Sequence, residues 1–159
     1  MNVTLAGADT FDTASHAIDS HGLTEFVSLI LTSEGLESDT SVAIGFIADD
    51  DIAELNMRHM GKTGPTDVLS FPIEDAAPGT PPRRSQNGPP VDLGDIFIST
   101  NVVKQHADEY GVEFSDELHL MVCHGLLHLL GWNHETELEA ALMERHEAEL
   151  LALVGRVRR

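Results

Sequence analysis

Apolar positions along this chain fall into short β-branched runs separated by longer amphipathic stretches, a pattern that predicts a layered α+β protein. VTLA near the start and SVAIGFIA at 41–48 predict strands, the second buried. Between them Phe26, Leu29 and Ile30 recur at helical spacing, which predicts a helix from about Thr13 to Leu31. Asp49, Asp50 and Asp51 are placed to cap a helix through IAELNMRHM and to complement its dipole. TDVLSFPI at 66–73 predicts the next strand, with Pro72 suited to a strand edge or end. LGDIFIST at 93–100 predicts a fourth strand, leading into a helix from about Asn101 to Tyr110.

Ser115 then predicts an N-cap for a helix to about Leu130, with Asp116 and Glu117 in its first turn. A last amphipathic helix is expected over roughly Glu135 to Val154, with Leu138, Leu142, Leu150 and Leu153 on or near one face. AAPGTPPRRSQNGPP at 76–90 is too rich in Pro and Gly to pack, and predicts a flexible loop between two strands. No internal repeat is visible. The expected architecture is one α+β domain over residues 1–159, with about four strands in a mixed sheet and about five helices.

The candidate chemistry lies in HGLLHLLGWNH at 124–134. His124 and His128 are four residues apart, so on a helix both imidazoles project from one face. Gly131 can end the helix in a left-handed turn, after which His134 can swing back as a third ligand. Three polar rings in so apolar a segment cost free energy unless paired or metallated. Three imidazoles with a fourth position open describe a catalytic zinc site, one ion per chain, although nickel or copper would also accept them.

The residue after His124 narrows the chemistry. Helical zinc peptidases use H-E-x-x-H, where the glutamate is the general base. Here that position is Gly125, and Glu135, though near in sequence, begins the next helix. The segment is a zinc-peptidase-like ligand helix without the peptidase's base. That favours a substrate whose hydrolysis depends on metal and electrostatics, such as a phosphodiester. A peptidase or other amide hydrolase remains the alternative. So does a non-enzymatic assembly factor in which zinc only staples the fold.

Charge restricts the partners. The 159 residues carry 27 acidic and 9 basic side chains, a net charge of -18, which disfavours broad attraction to nucleic acid or anionic lipid. Anionic substrates must meet a local patch, and the candidates are Arg58 with Lys62, Arg83 with Arg84, and Arg156, Arg158 and Arg159. Cys123 is the single cysteine, so no internal disulfide can form, which suggests a reducing cytoplasmic setting. The opening residues lack a basic flank and a sustained apolar stretch. No window approaches the roughly 18 apolar residues of a membrane span.

HGLLHLLGWNH, GPTDVLSFP at 64–72 following Leu55-Asn56, and LGDIFIS at 93–99 together resemble the YbeY family of bacterial metal-dependent endoribonucleases, over roughly residues 40 to 153. The resemblance implies an α+β fold, zinc held by His124, His128 and His134, and cleavage of single-stranded RNA by activated water. It further implies maturation of 16S ribosomal RNA at its 3′ end and ribosome quality control, with the small ribosomal subunit as partner and neither DNA nor membrane. One departure stands out. Many members carry an arginine just before the glycine upstream of PTDVLSFP, and here that place is Met60. Arg58 and Lys62, two residues to either side, are the candidates to replace it as catalytic cations.

Other side chains admit two readings. Asp67 and Asp95 are candidate acceptors for a ligand histidine's second N–H, with turn chemistry the alternative for Asp95. Ser70 is expected to be a packed hydroxyl, Cys123 and His119 structural, and Trp132 packing for the turn that returns His134.

Overall fold

A computed structural model describes all 159 residues. Ten elements follow one another along the chain. They are β1 (Asn2–Ala6), α1 (Ala8–Phe11), α2 (Ser20–Ser33), β2 (Ser41–Phe46), α3 (Asp49–Met60), β3 (Val68–Pro72), β4 (Asp92–Ile98), α4 (Thr100–Tyr110), α5 (Phe114–Leu129) and α6 (Glu137–Ala152). The four strands form one mixed sheet in the order β1-β2-β4-β3. β1 and β4 run parallel to β2, and β3 runs antiparallel to β4, with Ser70 opposite Ile96. β3 is therefore an edge strand, which suits its terminal Pro72, since a proline has no N–H for a further ladder.

The predicted four-stranded α+β domain is the one observed, with five helices of at least eleven residues and the single turn α1. α5 is its centre. It packs on β3 and β4 and is flanked by α2, α4 and α6. Leu118, Leu126 and Leu127 on α5 are sealed against Ile44, Ile96 and Ile98 of the sheet and Phe26 and Ile30 of α2. Each such side chain contributes about 1.5–3 kcal/mol through burial. No helix is long and apolar enough to cross a membrane.

Several predicted boundaries are corrected. The helix expected from Thr13 begins only at Ser20. Asp12 accepts from the Ile18 N–H at 2.9 Å, and Asp19 caps α2 by accepting from Gly22 at 3.0 Å, so residues 12–19 spend their polar groups on a turn. Asp49, Asp50 and Asp51 lie within the first turn of α3, where they complement its dipole, but none caps it; Asp49 instead accepts from the Ser99 hydroxyl at 2.6 Å. Ser115 is not a cap either, because α5 starts at Phe114 behind Glu113.

The predicted face of α6 holds only at Leu150, which is buried. Leu138 is 70% exposed, with Leu142 and Leu153 also exposed, and the buried stripe is Met143, Glu147, Leu150 and Leu151. Residues 76–90 contain no helix or strand beyond one Ala77–Thr80 bridge. Arg84 is nonetheless pinned there, its backbone N–H donating to Glu37 and its guanidinium pairing with Asp39 at 3.2 Å.

Candidate metal centre

α5 can be apolar almost throughout because it lies between the sheet and α6, but its C-terminal end opens on a cleft of about 720 Å³. His124, His128 and His134 line one side of that cleft. Lys62, Asp67, Ser70 and Met60 from the α3–β3 region line the other. The three histidine ligand atoms lie within 4.8 Å of one another, and the His124 and His128 rings meet edge to face at 4.4 Å.

Hydrogen bonds behind the rings fix which nitrogens face the cleft. His124 Nδ1 donates to Glu147 Oε2 at 2.8 Å, and His128 Nδ1 donates to the Trp132 carbonyl at 2.8 Å. With the protons on Nδ1, both Nε2 atoms present lone pairs, and these face each other at 2.9 Å. Two such lone pairs repel unless a cation lies between them. Ligands 2.0–2.1 Å from a tetrahedral ion stand about 3.4 Å apart, so a small relaxation converts this pair into a bite. Burial, together with the neighbouring His124 ring and against the pull of the Trp132 carbonyl, pushes the His128 pKa down to about 4. It stays neutral and available to a cation at neutral pH. The three histidines could hold a metal ion, and their donor set fits one.

Gly131 brings the third ring home. Its φ is +92°, and a Cβ there would stand 2.1 Å from the Ala76 carbonyl oxygen. Only glycine makes that turn against that backbone. Gly131→Ala is expected to cost about 1–3 kcal/mol in a thermal melt and to weaken metal uptake through displacement of His134.

Gly125 answers to packing. A Cβ at this position would lie 2.9 Å from Ile96 Cγ2 and 3.3 Å from Ser70 Oγ, and the Ser70 hydroxyl donates to the Gly125 carbonyl at 3.0 Å. The helix rests on the sheet at the place where a peptidase carries its base.

Lys62 lines the cleft, whereas Arg58 is exposed and bonds Glu54 one turn back at 2.5 Å. Asp67 lines the cleft but gives its carboxylate to His106, at 3.1 Å, and to the Val68 N–H. Asp95 is exposed on β4 and bonds none of the three ligand histidines, so the idea that it orients one is corrected. Cys123 is fully buried, and burial raises its thiol pKa. His119 is buried away from the cluster, bonding the Ser115 carbonyl at 2.6 Å, with its pKa lowered chiefly by burial. Trp132 does more than pack the turn: its carbonyl orients His128, and its ring stacks on His146 at 4.7 Å.

Glu147 was not foreseen. It is buried on α6 and accepts from His124 on one oxygen and from Arg158, at 3.0 Å, on the other. Burial alone would raise its pKa, but the bonds from His124 and Arg158 outweigh burial and hold it below the usual carboxylate range. The one signal in the sequence was a carboxylate set among Met143, Leu150 and Leu151.

A family model described as Endoribonuclease YbeY matches residues 10–155. Among curated proteins, the Endoribonuclease YbeY of Symbiobacterium thermophilum is 41% identical over 129 residues, covering 80% of each chain. That of Bacillus subtilis is 38% identical over 122 residues, covering 77% of each. Among solved structures, TM1509 from Thermotoga maritima shares the fold with a TM-score of 0.55 at 24% identity, over 96% of this chain and 91% of that one.

Proposed function

The chain belongs to the Endoribonuclease YbeY family, and from that premise we propose that it is a zinc-dependent, single-strand-specific endoribonuclease acting in the cytoplasm. Its proposed task is maturation of the 16S ribosomal RNA 3′ end and ribosome quality control, on RNA presented by the small ribosomal subunit. The observation that carries the reading is the pair of Nε2 lone pairs of His124 and His128 facing each other at 2.9 Å, with His134 beside them in an open cleft.

When bound, zinc supplies Lewis acidity towards a water or a phosphoryl oxygen. The chain's own groups do the rest. Glu147 and the Trp132 carbonyl hold two rings in the tautomer that leaves Nε2 free. Lys62 brings positive charge to the cleft wall, where it would offset charge gathering on the phosphate. Arg58 can help only by leaving Glu54.

Labelled single-stranded RNA and casein, each incubated with the zinc-loaded protein, separate the leading readings. RNA cleavage that EDTA abolishes and zinc restores is the expected outcome. Casein hydrolysis without RNA cleavage would establish the peptidase instead. Retained cellular function in folded metal-site variants would favour a non-enzymatic assembly factor. Lys62→Ala is expected to weaken cleavage roughly tenfold with zinc still bound, and to flatten the salt dependence of RNA binding by about one phosphate contact. An unchanged salt slope would remove Lys62 from the interface.

A further inference from the structure

We propose that Arg158 is a positioning residue for the metal centre, acting through Glu147 on His124. The proposal rests on the reading that the three histidines hold a metal ion.

Glu147 is 1% exposed, so its carboxylate depends on protein partners alone. It has one at each oxygen. Arg158 Nε donates to Oε1 at 3.0 Å, and His124 Nδ1 donates to Oε2 at 2.8 Å. The two bonds together set the plane of the carboxylate and so the direction in which Oε2 meets the ring. A buried carboxylate that loses one of two partners turns to recover it, because an unpaired buried oxygen is costly. Rotation of that plane would release His124 Nδ1, and with it the aim of Nε2 into the cleft.

Arg158 is itself held in place. Its Nη1 donates to the Arg159 carbonyl at 2.9 Å. Arg159 forks onto the buried Glu117, at 2.6 and 3.0 Å, and lies 3.6 Å from the centre of the Tyr110 ring. Arg156 ties the same segment to Asp116 at 2.5 Å, with no bond to the clustered histidines or to Glu147. The segment is thus laced along α5 and α4, yet only Arg158 touches a residue that bonds a histidine of the cluster. It lies outside residues 10–155, the part matched by the family model, so this support for the centre is a feature of the chain beyond the matched region.

The tail offers its own control, because Arg156 shares its anchoring role without reaching the histidines. The full chain, stripped of metal, is titrated with zinc against a competing chelator, and the cobalt-substituted protein is examined by visible absorption. Arg158→Ala is expected to weaken zinc binding roughly tenfold, the lower end for groups that orient metal ligands, and to shift the cobalt bands. Arg158→Lys should recover part of the loss. Arg156→Ala should lower the melting temperature with zinc affinity unchanged. Nitrogen-15 spectra of the metal-free protein give a second readout: the His124 tautomer with the proton on Nδ1 should dominate in the wild type and lose dominance in Arg158→Ala. Zinc affinity and tautomer unchanged in Arg158→Ala would overturn the proposal alone, as would an equal loss of zinc affinity in Arg156→Ala. A wild-type chain that takes up no zinc would overturn the metal reading and this proposal with it.

Discussion

His128→Ala is expected to empty the metal centre and reduce RNA cleavage by roughly a thousandfold or more, equivalent to about 4 kcal/mol of barrier. His128 is the middle ring of the three, with centroids 4.4 Å from His124 and 5.0 Å from His134. Its removal leaves two imidazoles, one fixed by Glu147 and one on an exposed turn, too few to hold a divalent ion that three rings would share. The fold should survive at a cost. The Trp132 carbonyl loses its donor, worth about 1–3 kcal/mol where it is buried, and a cavity of ring size opens at the end of α5. Elemental analysis of the purified variant should find no bound transition metal, against about one per chain in the wild type. His119→Ala should keep its metal, since His119 is turned to the Ser115 carbonyl. A His128→Ala protein that still carries one ion per chain and cleaves RNA would remove the ligand role proposed for it.

Much of the fold was legible because the strands are short β-branched runs and most helices bury one face, the enclosed α5 being apolar almost throughout. SVAIGFIA is read in the sequence as a buried apolar run, and β2 is indeed a strand there, fully buried at every second residue and half-buried between. α6 shows where such reasoning fails. Its inward stripe contains a glutamate, which a hydrophobic pattern scores against burial, while Leu138, Leu142 and Leu153 face outward and attract the assignment. Charge neutralised by a partner elsewhere in the chain is invisible to local periodicity. The start of α2 was missed for a related reason: Asp12 and Asp19 hold the preceding turn with side-chain bonds that compete with helix, and propensity alone does not register them.

The site was legible to the depth of its helix. The spacing of His124 and His128, and the turn at Gly131 that returns His134, follow from helical geometry and the conformational freedom of glycine. The layer behind them does not. Glu147 lies 23 residues from His124 in sequence and Arg158 a further 11 residues on, and their roles exist only once α6 and the tail are laid against α5. Asp67, by contrast, stands in a recognisable motif and on the cleft wall, yet its carboxylate is spent on His106 and the Val68 N–H. Proximity in a motif did not say which group an acidic side chain would serve.

Gly125→Glu is the substitution that would recreate H-E-x-x-H on paper, and it is expected to unfold the protein rather than create a peptidase. The Cβ of any residue at 125 must enter space where Ile96 Cγ2 stands 2.9 Å away and Ile96 Cδ1 3.1 Å away, and Ile96 is fully buried in the sheet. Gly125→Ala isolates that contact. Overpacking costs about 1–3 kcal/mol, against about 1 kcal/mol gained from better helix propensity, so alanine should destabilise by roughly 0–2 kcal/mol. Glutamate adds two methylenes and a carboxylate with no cation at hand between helix and sheet. An unpaired charge there costs several kcal/mol more, enough with the overpacking to consume most of a typical 5–15 kcal/mol of stability. Thermal melts of the two variants should therefore form a graded series: alanine still cooperative, glutamate without a folded baseline or insoluble. A folded, zinc-loaded Gly125→Glu protein that hydrolyses casein would show that the carboxylate can reach the metal. The glycine would then be a choice of chemistry rather than a requirement of how closely α5 lies on β3 and β4.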